Sequence, residues 1–423
     1  MKHVNLKILL SLLLISLPLL CVSMAWADGA LNTNALTMGA SPAASLSELH
    51  LPSVTPTMLQ YSRIRYGLYF FSVVYSVGVL MLIMQTGLST RLRDYSIKTN
   101  RNKALQVVLY SLLLSLLIAL LSLPLSFFSG FYLEQWFKLS DQSLLSWLTD
   151  RGKAICVSAV LSSFCLLIFF GVVRRFRTHW PILLWLIMIP FFALGIFAEP
   201  IVIDPLFNKF APMEQNGLKS KITDLAVKAR IPNAVILVAD KSKQTNKMNA
   251  YVTGLSGSSR IVLWDSTIAK LPEDQVLAVV GHEIGHYVLG HVYLDFILIV
   301  SVSLVFVPVA YLFANSFISI LPKNWQIGSI NDYAITPVLL ALTLLIGFAT
   351  MPLINAWSRY QEHQADEFGL NLTGNRLAMA NLFVSFAEKN LSEPDPPPII
   401  KFWLFSHPTL KERIEFAAGR KVE

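Results

Sequence analysis

Six long apolar runs without a single charge constrain this chain more than any other feature. They cover roughly residues 66–86, 104–128, 154–173, 180–198, 296–322 and 333–358. A helix rises about 1.5 Å per residue, so each run can cross a hydrocarbon core about 30 Å thick. Within such a core only helices or closed barrels satisfy their own backbone groups. Hydrophobic residues make up 54% of the 423 and charged residues 14%, which excludes an ordinary soluble domain. The predicted fold is therefore mainly α, an integral membrane protein of several spans. Pro308, Pro337 and Pro352 interrupt or bound the last two runs. Proline is tolerated there where neighbouring helices or a cavity satisfy the freed carbonyls.

A seventh apolar stretch opens the chain. Lys2 and Lys7 flank the start of an apolar core over residues 8–20, and Ala25-Trp26-Ala27 follows. This pattern fits a signal peptide ending at Ala27, with an uncut first membrane helix over 1–27 as the competing reading. Residues 28–65 then read as a linker, and 66–198 as a four-helix N-terminal membrane domain. The net charge of +8 is concentrated in two short loops, Arg91, Arg93, Lys98, Arg101 and Lys103, then Arg174, Arg175 and Arg177. Two crossings separate these loops, so they share a side, and the positive-inside rule makes it the cytoplasmic one. The charge is a membrane pattern, and no basic run interleaved with aromatics points to nucleic acid. Cys21 lies in the leader. Cys156 and Cys165, nine residues apart in one run, point to opposite helix faces and cannot pair.

The segment 199–423 differs in kind, with two of the membrane runs (about 296–322 and 333–358) embedded in polar sequence. Residues 235–238, 249–255 and Arg260–Trp264 are predicted strands, with Gly254 and Gly257 in the turn between the last two. Pro272, Glu273 and Asp274 open a helix that runs to about Gly290. On that helix lies His282-Glu283-Ile284-Gly285-His286. Histidines four residues apart project from one face and can share a zinc ion, while the glutamate between them can take a proton from an attacking water. A hydrolytic zinc site needs a third protein ligand and one open position. His291, five residues past His286, is poorly aligned and reads as a polar residue near the membrane surface. Glu362 is better placed, sharing a helix face with Asp366 directly after an apolar run. One carboxylate can bind metal while the other hydrogen-bonds a ligand histidine. The same stretch also fits a plain acidic helix start, with Arg359 and Glu362 as an i,i+3 ion pair.

Several short pieces recur in a characteristic order. They are Pro205-Leu206-Phe207-Asn208-Lys209-Phe210, Asn249-Ala250-Tyr251 with Gly254, Gly281-His282-Glu283 through His286, Glu362 with Ala365 and Asp366, and Ser406-His407-Pro408 with Glu412-Arg413. In this order and spacing the chain resembles the type I CAAX prenyl protease family of integral-membrane zinc endopeptidases, as a bacterial-type member, over about residues 60–415. The resemblance implies six to seven transmembrane helices around a chamber, with a small α/β zincin-like catalytic domain. The seventh helix is available only if residues 8–27 stay attached. It implies one Zn2+ per chain on His282, His286 and Glu362, Glu283 as general base, and Asp366 behind a ligand. It further implies Asn249, Ala250 and Tyr251 on an edge strand that pairs with substrate, His407 facing the oxyanion, and Arg413 in support.

The expected function is a membrane-embedded zinc metalloendopeptidase acting on membrane-associated or exported proteins, or on C-terminal CAAX-type peptides. Its partners are then a peptide or protein substrate and the lipid bilayer. A metal-binding transporter would want ionisable residues inside the spans, which are nearly free of them. A non-catalytic scaffold would want a broken motif, and this one is whole. The signal-like start points to a bacterial inner membrane, and the basic loops put the catalytic segments on the periplasmic side.

Overall fold

The computed structural model describes Leu49 and residues 52–254 and 259–419; the leader 1–27 and most of the linker lie outside the described residues. The first helix among the described residues, α1 (Pro56–Gln85), starts inside the expected linker rather than at residue 66. A local signal sets that start. Thr55 Oγ1 accepts from the Met58 amide at 3.1 Å, and Pro56 occupies the first helical position. Apolar runs mark the limits of the lipid phase rather than the ends of helices. After α1 come α2 (Leu88–Thr99), α3 (Lys103–Phe127), α4 (Leu144–Arg175) and α5 (Trp180–Ala198).

The polar segment opens with a four-stranded sheet: β1 (Phe210–Pro212), β2 (Val235–Ala239), β3 (Ala250–Thr253) and β4 (Arg260–Trp264). Their spatial order is β1-β2-β4-β3, with β2 and β4 parallel and the outer pairs antiparallel. Strand β3 is therefore an edge, held to β4 in the register Ala250↔Leu263 through Thr253↔Arg260. The three-residue β1 was too short to carry an alternation signal. Helix α6 (Gly217–Lys228) lies between β1 and β2. Then come α7 (Glu273–Leu289), α8 (His291–Ile320), α9 (Thr336–Thr373), α10 (Arg376–Lys389) and α11 (Leu410–Ala418). One core joins sheet and helices: Ile222 of α6, Ile261 and Leu263 of β4, Val280 and Ile284 of α7, Met379 and Phe383 of α10, and Ile414 of α11.

Among the described residues, Pro56–Gln85, Lys103–Trp136, Leu144–Arg175 and Tyr333–Thr373 are long and apolar enough to cross a membrane. Trp180–Ile196 and Glu199–Phe207, bent by 48°, make a fifth span if taken together. The run expected at 296–322 lies in α8 as far as Ile320, and the start of that helix, His291–Leu304, is a shorter apolar stretch. Pro190 and Pro352 lie inside α5 and α9 without ending them.

The two basic loops meet at one end of this bundle. Arg93 pairs with Asp332 at 2.6 Å, and Arg174 donates to the Asn331 carbonyl at 3.3 Å while covering the Tyr333 ring. Those partners lead into the start of α9, and Glu362 stands near its other end. Beyond the membrane helices, Lys247 reaches back to Glu134 (2.8 Å) and the Tyr61 hydroxyl (2.8 Å), which ties the polar segment to α1 and the end of the second span.

Candidate metal centre

Helices α7 and α9 approach backbone to backbone because glycines line their contact. A Cβ on Gly369 would stand 2.7 Å from the His282 amide nitrogen, and one on Gly285 3.1 Å from the Ala365 carbonyl oxygen. This proximity brings the histidines of one helix onto the carboxylates of the other. His282 Nε2 and His286 Nε2 are 3.2 Å apart. Each lies 3.3 Å from an oxygen of Glu362, His282 from Oε2 and His286 from Oε1.

Those separations suit zinc. Bonds of about 2.0–2.1 Å in tetrahedral geometry put neighbouring ligand atoms about 3.3 Å apart. The three donors form the one cluster of metal-ligating character among the described residues. Glu362 Oε2 is buried with no well-formed hydrogen bond, its nearest cationic neighbours being His282 Nε2 at 3.3 Å and Arg413 Nη2 at 3.7 Å, and so it can accept a metal ion. Burial alone would lower the His282 pKa, but the facing carboxylates of Asp366 and Glu362 outweigh it and lift the imidazole to about 10. The two carboxylates that face His282 make the cradle anionic, which suits a cation.

Support for His282 comes from behind. Its Nδ1 donates to Asp366 Oδ1 at 2.8 Å, and Asp366 accepts two bonds from Arg413, from Nη2 at 2.6 Å and Nε at 2.8 Å. Arg413, 6% exposed, also lies 4.2 Å over the Phe383 ring, so its charge is paired and its flat face packed. Glu283, half-buried between the histidines, has its carboxyl pushed up by burial, against the lowering effect of both imidazoles. His407 enters from the loop before α11, with Nε2 3.2 Å from Glu362 Oε1 and Nδ1 2.8 Å from the Ser406 hydroxyl. Arg359 is not the ion-pair partner of Glu362; it donates to the Phe405 carbonyl at 2.6 Å and so anchors the segment bearing His407.

Ala250 and Tyr251 lie on the edge strand, which packs against α7, and Asn249 directly precedes it. The Asn249 side-chain oxygen accepts from the Ala250 amide at 2.9 Å, and the Tyr251 hydroxyl donates to Asp204 at 2.6 Å. Sequence reasoning missed His291. Rather than facing solvent or lipid, it is 2% exposed, with its Nδ1 2.8 Å from Nδ1 of His286. The signal was Gly290, whose left-handed conformation (φ 74°) ends α7 and lets the chain turn back.

A helix-borne HExxH, a carboxylate from a second helix and a sheet whose edge strand packs on the first helix, all set on membrane spans, define a membrane metalloprotease. Comparison with known proteins gives the family. Residues 212–421 match the model of peptidase family M48, and residues 36–209 match that of the CAAX prenyl protease N-terminal region, described as five membrane helices. The chain belongs to peptidase family M48. It is 34% identical to the uncharacterized metalloprotease YhfN of Bacillus subtilis (strain 168) over 366 residues, 86% of each chain. It is 33% identical to CAAX prenyl protease 1 of Saccharomyces cerevisiae over 327 residues, 71% of this chain and 70% of that one. The crystal structure of S. mikatae Ste24p superposes with a TM-score of 0.74 at 25% identity, covering 99% of this chain and 100% of that one. The protein is thus a membrane metalloendopeptidase, as the sequence led us to expect.

Proposed function

We propose that this chain binds one zinc ion on His282, His286 and Glu362 and hydrolyses peptide bonds of membrane-associated or exported proteins. The observation that carries this reading is the buried triangle of donors spaced 3.2–3.3 Å apart. Zinc, when bound, supplies Lewis acidity that activates water and polarises the scissile carbonyl. Glu283 takes the water's proton and delivers it to the leaving amine, a task suited to a carboxyl whose proton affinity is raised by burial. His407 donates from Nε2 to the developing oxyanion, while Asp366 and Arg413 hold His282 in the tautomer that leaves Nε2 bare. An extended substrate pairs with the outer edge of β3 once the Asn249 side chain releases the Ala250 amide.

In this reading the spans of 66–198, together with those at 296–322 and 333–358, form the membrane body, and the polar parts of 199–423 form the protease. The basic loops sit at the end of α9 away from Glu362, which supports a bacterial inner membrane with a periplasmic site. A tag beside the site that is labelled after outer-membrane permeabilisation supports that placement, and labelling only after lysis overturns it. The substrate class we favour is misfolded or exported membrane protein; the names of the eukaryotic relatives make a prenylated CAAX peptide the comparison to run. Purified wild type and Glu283→Gln are to be assayed on unfolded casein and on such a peptide, with and without chelator. Cleavage that persists in the variant or after chelation would sink the mechanism.

A further inference from the structure

One buried imidazole beside the site has no part in the mechanism above. His291 follows His286 by five residues, a spacing that on an unbroken helix turns the two side chains well apart. Gly290 prevents this. At φ 74° and ψ 31° it closes α7 and opens α8, and the turn folds His291 beneath His286. The Nδ1 atoms come within 2.8 Å, with ring centroids 4.9 Å apart and planes at 78°. The main chain of His291 is fixed as well. Its carbonyl accepts from Gln361 Nε2 at 3.3 Å, and Gln361 also donates to Asp295 Oδ1 at 3.0 Å, which receives the Trp357 indole N–H at 2.7 Å. Gln361 is the residue before Glu362, so the helix that presents the carboxylate ligand also pins His291.

Proton bookkeeping sets the direction of the bond. His286 turns Nε2 toward His282 and Glu362, so that nitrogen is bare when it ligates a metal. The proton of the neutral ring is then on Nδ1, facing His291. His291 Nδ1 must be the acceptor and carries its own proton on Nε2. The two histidine ligands thus have unlike supports. A carboxylate stands behind His282, whereas a neutral imidazole behind His286 orients the ring without adding negative charge.

We propose that His291 is a positioning residue that fixes the tautomer and orientation of His286 for zinc binding; the proposal rests on the zinc reading above. The test uses the full-length protein in detergent, with zinc affinity measured by competition against a chromogenic chelator and the visible spectrum recorded after cobalt substitution. Asparagine places a carbonyl oxygen near the Nδ1 position, whereas leucine offers no acceptor. We expect His291→Leu to weaken zinc binding roughly 10–100-fold and alter the cobalt bands, with His291→Asn within about threefold of wild type. Wild-type affinity in the leucine variant, or equal losses in both variants, overturns the proposal, the second outcome meaning that the ring acts by packing alone. If the leucine variant does not fold, the asparagine variant decides, and a loss of about tenfold or more in it overturns the proposal. A wild type that binds no zinc removes the parent reading too. Zinc held equally by wild type and leucine variant removes this inference only.

Discussion

Gly369→Ala is the most searching perturbation of this site because it adds one methyl group and touches no ligand. The new Cβ would lie 2.7 Å from the His282 amide nitrogen, 2.9 Å from its Cα and 3.0 Å from the Gly281 carbonyl carbon. All three are backbone atoms, so no rotamer change relieves the clash. Moving from 2.7 Å to an ordinary contact of 3.4 Å forces α7 and α9 apart by about 0.7 Å. Overpacking of this kind costs about 1–3 kcal/mol of stability. The functional cost is larger, since the histidines ride on one helix and Glu362 on the other. The two 3.3 Å separations between Glu362 and the histidines would stretch toward 4 Å, beyond the tolerance of about 0.2 Å for a zinc site. We expect kcat/KM on a casein reporter to fall roughly 100-fold, with a parallel fall in zinc affinity. Gly281→Ala is the internal comparison. Its nearest clash, at 2.9 Å, is with the Thr373 methyl, so adding Thr373→Ser should restore part of what Gly281→Ala loses. A Gly369→Ala enzyme with wild-type zinc affinity and activity would show that close approach of α7 and α9 is not what builds the site.

Other expectations follow from single contacts. Arg413→Met leaves Asp366 buried with only His282 for company and should cost about 3–5 kcal/mol, read as a lower melting temperature in detergent. Ile284→Ala empties a fully buried position in the core beneath the motif and should cost about 2–5 kcal/mol, with the metal ligands themselves untouched. Glu412 caps α11 through the Thr409 amide (2.9 Å) and pairs with Lys401; burial raises its pKa, but these partners bring it below the usual value. A depressed carboxyl stabilises the fold above its unfolded pKa and loses that contribution as pH falls through the folded one. Acid melting should therefore weaken the α11 end, and Glu412→Gln should flatten that part of the pH–stability curve while costing about 0.5–2 kcal/mol near neutrality. Chelation should lower the melting temperature of wild type, and should do so much less in His286→Ala.

The parts of this protein that obey a period were legible in advance. Apolar runs marked the membrane, and four-residue spacing put His282 with His286 and Glu362 with Asp366. What could not be read was contact between helices. Nothing in the residues around Gly369 says that its missing Cβ is where α7 will lie, because the distance between two helices is a property of the pair. His291 was misread for a related reason. Its spacing was judged on a continuous helix, and Gly290 breaks that helix one residue earlier. Hydropathy assigns the first ten residues of α1 to the linker because it reports lipid contact, whereas the Thr55 cap decides where the helix begins.

Helix α9 runs unbroken through 38 residues, about 57 Å at 1.5 Å per residue, with Thr336 near the basic loops and Glu362 about 39 Å further along. A single strut of that length works as a depth gauge. In the orientation proposed above, it would set the height of the metal centre relative to the lipid by its purchase at the other end. A protein chain stretched out from an anchor in the same bilayer advances about 3.3 Å per residue. Each such increment of membrane thickness would then shift the bond presented for cutting by one residue, so the lipid would help choose the cleavage position alongside the sequence of the substrate.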